Sequence, residues 1–313
     1  MTKAFVFPGQ GSQAVGMGRE LAEAFAPARL VFEEINDALD QNLSKLMFKG
    51  PDDELRLTEN AQPALMAVSM AIVRVLAEEG GIVLDDKAAF VAGHSLGEYS
   101  ALAAAGAIGV ADTARLLKLR GQSMQEAVPV GEGAMAALLG LDLDTAREVA
   151  EEAAEDEVCD VGNDNAAGQV VLSGATAAIE RAMEIAKGKG ARRAVSLPVS
   201  APFHCAMMAP AAEVMEKALE ETEIVAPSVP LVANVTAASV EDPHTIRRLL
   251  VEQVTGMVRW RESVLYMKEQ NVDTLIELGA GNVLTGLTRR IDREMTGRSI
   301  QAPDDIEALL KNI

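Results

Sequence analysis

The sequence predicts an α/β fold, a parallel sheet flanked by helices and interrupted by a small β-α-β-β-α-β insertion. Three observations carry this. Ala4-Phe5-Val6-Phe7 is a short apolar run that Pro8-Gly9-Gln10-Gly11 ends, which reads as a strand followed by a loop. A second run, Ala88-Ala89-Phe90-Val91-Ala92, passes into Gly93-His94-Ser95-Leu96-Gly97 and then an alanine-rich stretch, giving strand, tight turn and helix. From about Gly131 to Ser196 the pattern changes to short strands and helices in the split βαβ order.

Taken in order, helical periodicity follows the first strand at Ala28 to Leu39 and again at Gln62 to Ala77. In the latter, Leu65, Val68, Met70, Ile72, Val73 and Leu76 are too dense for a solvent-facing helix, so a buried one is expected. Within the insertion, Ala134 to Leu139 reads as a strand and Asp144 to Glu155 as a helix, with Asp142 or Asp144 near its start. Val158 to Val161 and Gln169 to Leu172 form a hairpin pair, Ala177 to Ala186 a helix and Arg193 to Leu197 the last strand. The chain then returns to the larger unit. Helices are expected at about Met207 to Glu220, Thr245 to Thr255 and Arg261 to Gln270, with strands at Leu231 to Ala233 and Thr274 to Glu277.

Composition narrows the function classes. At 313 residues and 49% hydrophobic, the chain can bury a sizeable core, which excludes a disordered acidic tail or a disulfide mini-protein. A formal charge of −19 argues against nucleic acid as a partner. No long apolar run is expected to span a bilayer, and the N-terminal stretch reads as a strand, so a cytoplasmic enzyme with no membrane partner is expected. Cys159 and Cys205 offer neither a disulfide framework nor the spacing of a zinc site, and no metal is expected.

Gly93-His94-Ser95-Leu96-Gly97 matches G-x-S-x-G, the turn that exposes a nucleophilic serine between strand and helix. A hydroxyl needs a base, and the chain has three histidines. His94 adjoins Ser95 on a sharp turn and reads as part of the turn; His244 reads as a residue near an exposed helix start. His204, in Ser200-Ala201-Pro202-Phe203-His204-Cys205, lies in a loop that could present a base, although the residues alone fit a hydrogen-bonded loop histidine equally well. Cys205 reads as a small apolar side chain. Gln10 lies in a loop at a strand end, where ligands gather in open α/β sheets; the loop lacks the Gly-Lys-Ser/Thr of a phosphate loop. Arg120 reads as the end of a helix carrying Leu116, Leu117 and Leu119, followed by Gly121. It is either a charge offsetting the helix dipole or a bidentate clamp for a carboxylate.

Six ordered blocks span nearly the whole chain: FPGQGSQ, GHSLGEYSAL, RGQSMQEA, NDNAAGQVVLSG, SAPFHCAMMAPA, and VRW followed by ELGAGNVLTGL. In this order they resemble the malonyl-CoA:acyl carrier protein transacylase family. The resemblance implies a hydrolase-like α/β core over residues 1–128 and 198–313, with an inserted ferredoxin-like subdomain over 129–197. It implies that Ser95 attacks the malonyl thioester, that His204 moves the proton, and that the main-chain carbonyl of Gln253 orients the imidazole. The N–H groups of Gln10 and Leu96 would form the oxyanion hole, and Arg120 would hold the malonyl carboxylate. Phe203 resembles the bulky residue of malonyl-selective relatives, and Asn163 and Asn165 sit where family members line the cleft. The implied partners are malonyl-CoA and holo acyl carrier protein, whose phosphopantetheine thiol is the acceptor; no resident cofactor is implied.

Two departures stand out. Met257 occupies a position where many relatives carry proline, which implies a looser segment around Gln253, and Ala167 likewise replaces a usual proline in the stretch Asn163 to Gly168. A serine esterase or thioesterase would share the serine and histidine but usually places the histidine near the chain end. A carrier-docking module without catalysis would not need Ser95, His204, Gln10 and Arg120 together. Because carrier proteins are acidic and so is this chain, a basic rim is expected from Lys187, Lys189, Arg192, Arg193, Arg289, Arg290 and Arg293.

Overall fold

The structure, a computed structural model, describes residues 2–311. Met1, Asn312 and Ile313, at the ends of the expected larger part, lie outside the described residues. The strands among these residues are β1 (Thr2–Phe7), β2 (Phe90–Gly93), β3 (Gly133–Leu139), β4 (Cys159–Ala166), β5 (Gln169–Ala175), β6 (Arg193–Ser196), β7 (Leu231–Val232), β8 (Ser239–Val240), β9 (Val272–Leu278) and β10 (Thr296–Ile300). They form a larger sheet of order β10-β9-β1-β2-β7-β8 and a smaller one of order β4-β5-β3-β6. The fold is therefore mixed α/β.

In the larger sheet every pairing is parallel except the β7–β8 hairpin at its edge. Ala4 to Phe7 are fully buried, which explains why β1 reads as a continuous apolar run rather than an alternating one. β1 and β2 are neighbours with Phe7 opposite Gly93, so the loop carrying Gln10 and the turn carrying Ser95 leave the sheet side by side. Both emerge at the carboxyl ends of parallel strands, where open α/β sheets collect ligands.

The helix expected at Gln62 to Ala77 spans Thr58–Gly80 and packs between the helices Ala26–Leu39 and Val110–Glu126. It is the one helix among the described residues long and apolar enough by composition to cross a membrane, and its most apolar window is 83% buried inside the protein, the buried helix expected there. A correction concerns Arg120. Its helix does not stop there but runs on to Glu126, placing Arg120 in mid-helix and only 1% exposed. Gly121 is a packing residue rather than a terminator: a Cβ there would stand 2.5 Å from Glu59 Cα of the crossing helix.

The smaller sheet is antiparallel throughout. Along the chain it runs β3, helix Leu143–Ala154, β4, β5, helix Thr176–Gly188, β6. Its helices bury Val149, Ala153, Ile179 and Ala182 against Leu138, Val170 and Leu172. Asp142, not Asp144, caps the first helix by accepting the Thr145 N–H at 2.8 Å. The smaller sheet is tied to the segment before the helix Trp260–Glu269 at Val258, whose N–H donates to the Gly162 carbonyl at 2.9 Å and whose carbonyl accepts from Asp164 N–H at 3.0 Å. The buried Asp164 carboxylate adds an ion pair with Arg261 at 2.8 Å.

Candidate active site

Ser95 stands at φ 54° and ψ −111°, a strained conformation for a residue with a side chain. The surrounding glycines impose it. A Cβ on Gly93 would fall 1.9 Å from Gly97, and one on Gly97 would fall 2.2 Å from the Phe7 carbonyl oxygen. Only this tight stacking of strand, turn and helix lifts the hydroxyl above the sheet edge. Leu96 is the first residue of the helix Leu96–Ala104, so its N–H has no carbonyl partner within the helix.

His204 reaches the serine from 109 residues away: its Nε2 lies 2.8 Å from Ser95 Oγ. It too has a positive φ, 61°, in the loop after β6. Its Nδ1 lies 2.8 Å from the Gln253 main-chain oxygen. A carbonyl can only accept, so Nδ1 carries the hydrogen and Nε2 is left as the acceptor facing Ser95. Arg120 Nη2 donates to the same Ser95 Oγ at 3.1 Å, which turns the hydroxyl hydrogen toward His204. Burial foremost, with the Arg120 charge behind it, pulls the His204 pKa down to about 3. The imidazole is thus neutral across the physiological range, with Nε2 unprotonated and facing the serine hydroxyl.

Arg120 is fully enclosed. Nη1 donates to Gln62 Oε1 at 2.8 Å and Nη2 to Gln253 Oε1 at 2.9 Å, while Nε–H meets no acceptor. The guanidinium lies 5.7 Å from the centre of the Tyr99 ring. Burial lowers its pKa, but a guanidinium remains a cation in any accessible pH range. A cavity of about 340 Å³ lies over these groups, lined among others by Gln10, Ser95, Leu96, Arg120, Asn163, Phe203 and His204.

Most sequence-expected residues therefore converge, with adjustments. Gln253 contributes its carbonyl as expected, but it is fully buried in the last turns of the helix Pro243–Thr255. Its side chain is tied to Arg120, Ser95 and Glu98, so the expected looseness is not observed there. Asn165 is not at the cavity: its Oδ1 lies 2.8 Å from His94 Nε2, because irregular register in β4 re-aims it away from Asn163. His94 is accordingly a structural part of the turn, and His244 is exposed at a helix start, both as expected. Cys205 is fully buried with its thiol pushed up to about 11 by burial, which leaves no thiolate for attack. Sequence reasoning missed Glu98, Asn234 and Gln62, which hold the serine turn and Arg120 in place.

The expected basic rim divides. Arg192, Arg193, Arg289, Arg290 and Arg293 line one groove of about 650 Å³ beside Gly168 and Gln169. Lys187 and Lys189 are instead paired with Glu184 and with Glu148 and Glu152, on helix faces.

The acyl transferase domain family model matches residues 4–300. A malonyl CoA-acyl carrier protein transacylase from Escherichia coli (strain K12) is 46% identical over 308 residues, covering 98% of both chains. The chain belongs to the malonyl-CoA:acyl carrier protein transacylase family. Among solved structures, the acyl-carrier-protein-S-malonyltransferase of Bartonella henselae superposes with a TM-score of 0.97 at 55% identity, covering 99% of each chain. A malonyl-transacylase solved in complex with a type II PKS acyl-carrier protein superposes with a TM-score of 0.96 at 43% identity over the full length of both chains. These relatives span the whole site, from the Gln10 loop to the helix after β9.

Proposed function

We propose that this chain transfers the malonyl group of malonyl-CoA to the phosphopantetheine thiol of acyl carrier protein, supplying fatty acid or polyketide synthesis. The observation that carries this is the buried Arg120 guanidinium hydrogen-bonded to the nucleophile's own oxygen. A cation held there out of water suits an acyl group that ends in a carboxylate and disfavours a neutral one.

In the proposed reaction His204 Nε2 takes the Ser95 proton as Oγ attacks the thioester carbonyl carbon. The N–H groups of Gln10 and Leu96 stabilise the resulting oxyanion. Collapse breaks the C–S bond, and the imidazolium returns its proton to the departing CoA sulfur, leaving malonyl-serine. The carrier thiol then repeats the sequence in reverse, giving up its proton to His204, and Ser95 leaves with it. Arg120 shifts from Ser95 to the malonyl carboxylate, led by the Nη2 that faces the cavity beside Ser95 Oγ. The Phe203 ring at the cavity wall restricts room at the α-carbon, and Asn163 lines the same cavity.

The strand and helix order of the smaller sheet supports a ferredoxin-like subdomain over 129–197, inserted in a hydrolase-like part over 1–128 and 198–313. No resident cofactor or metal is needed for this chemistry. Two buried free thiols suit a reducing compartment, and we place the protein in the cytoplasm.

Hydrolysis is the competing outcome for the same serine and histidine. With malonyl-CoA alone, free malonate should form slowly, and adding holo carrier protein should give malonyl-carrier at a far higher rate. Fast malonate release indifferent to the carrier would contradict the transfer reading. We further propose the five-arginine groove as the landing site for the acidic carrier. R289E/R290E should raise the carrier's apparent KM about tenfold or more at low salt, with CoA release from malonyl-CoA unchanged. An unchanged carrier KM would remove this pair from the docking surface.

A further inference from the structure

Resting on the malonyl-transfer reading, we infer that Glu98 is a positioning residue that acts through the Gln253 amide to aim Arg120 and, with Asn234, to hold the strained Ser95 turn. Glu98 lies one helical turn after the nucleophile and is 1% exposed, a costly place for a carboxyl group unless its hydrogen bonds are needed. Burial pushes its pKa up to about 7. Its Oε2 accepts from two donors, the Asn234 N–H at 3.0 Å and Gln253 Nε2 at 2.9 Å.

Each of those donors continues to the nucleophile. The Asn234 side chain bridges the turn, with Oδ1 accepting Ser95 N–H at 2.8 Å and Nδ2 donating to the Gly93 carbonyl at 2.6 Å. Gln253 Nε2 also donates to the Ser95 carbonyl at 3.0 Å. Both peptides around Ser95 are therefore held by the side chains of Asn234 and Gln253, and Glu98 Oε2 anchors the first through its main-chain N–H and the second through its amide.

The amide of Gln253 has a direction, and Glu98 sets it together with the Ser95 carbonyl, since both accept from Nε2. Of the two, Glu98 is the side-chain acceptor, and with the NH2 held on that side Oε1 faces Arg120 Nη2 at 2.9 Å. Were the amide reversed, its NH2 would meet the guanidinium donors with no acceptor between them. The same residue supplies the carbonyl that orients His204, so serine, base and clamp share one support.

The test compares acylation of the intact enzyme by malonyl-CoA and by acetyl-CoA, read as CoA release under single-turnover conditions. E98L removes the acceptor oxygen, and Q253L removes the amide while keeping the main-chain carbonyl. Each should lower the malonyl-to-acetyl ratio about tenfold or more, and E98Q, which keeps an acceptor oxygen, should restore most of it. The double variant E98L/Q253L should lower the ratio no further than either single change. A folded E98L with the wild-type ratio would overturn the inference. If E98L does not fold, Q253L decides alone, since a wild-type ratio there would overturn the route from Glu98 through the Gln253 amide to Arg120. Failure of the wild-type enzyme to take up malonyl would instead refute the transfer reading itself.

Discussion

His204→Ala lowers the rate of Ser95 acylation by about 10⁴-fold, the scale on which removing one member of a nucleophile–base pair is felt. The geometry makes the loss specific. Arg120 Nη2 already donates to Ser95 Oγ, so the serine hydrogen points at His204 Nε2, 2.8 Å away, and no other described side chain accepts it. Without the imidazole the proton has nowhere to go as the C–O bond forms, and the CoA sulfur loses its proton source. The pH behaviour follows from the direction of the shift. With its pKa depressed to about 3, the imidazole is lost as a base only as pH falls toward that value, well below the ordinary histidine range. Imidazole nitrogen NMR at pH 5 should therefore show a neutral His204 ring in the wild-type protein. A drop of less than about tenfold in the variant's CoA-release burst would show that His204 is not the base.

Arg120→Ala reduces malonyl transfer by about 10³-fold while costing acetyl transfer much less, so that selectivity collapses. The guanidinium is held by Gln62 on one side and Gln253 on the other, which fixes it against Ser95 rather than letting it swing to solvent. A malonyl carboxylate brought into this enclosure without a cation would be an unpaired buried charge, the most expensive kind of contact to leave unmade. A neutral acetyl group incurs no such cost. Parallel kcat/KM measurements with malonyl-CoA and acetyl-CoA check this. Equal losses for both would mean that Arg120 supports the nucleophile and does not select the acyl chain.

The chemistry was more legible in the sequence than the scaffold that holds it. Ser95, His204 and Gln10 sit in turns, where glycine and proline mark the backbone and a reactive side chain stands out. Glu98 was not visible, because a glutamate in the first turn of a helix looks the same whether it faces water or is fully buried. Asn234 follows a two-residue strand, too short to show a period. Arg120 was misplaced at a helix end because Gly121 gives the same local signal whether it stops a helix or lets two helices touch. The edge strand β10, Thr-Gly-Arg-Ser-Ile, carries no apolar run, and only its pairing with β9 makes it a strand. Long-range contacts, not propensity, define these elements.

The account rests most directly on a covalent ester at Ser95. Intact-protein mass spectrometry after brief exposure to malonyl-CoA, without carrier protein, should show the mass of one malonyl group added to the wild-type chain, on the peptide containing Ser95. Ser95→Ala should add none. An unmodified wild-type protein that nonetheless transfers malonyl to the carrier, or equal labelling of the Ser95→Ala variant, would contradict it.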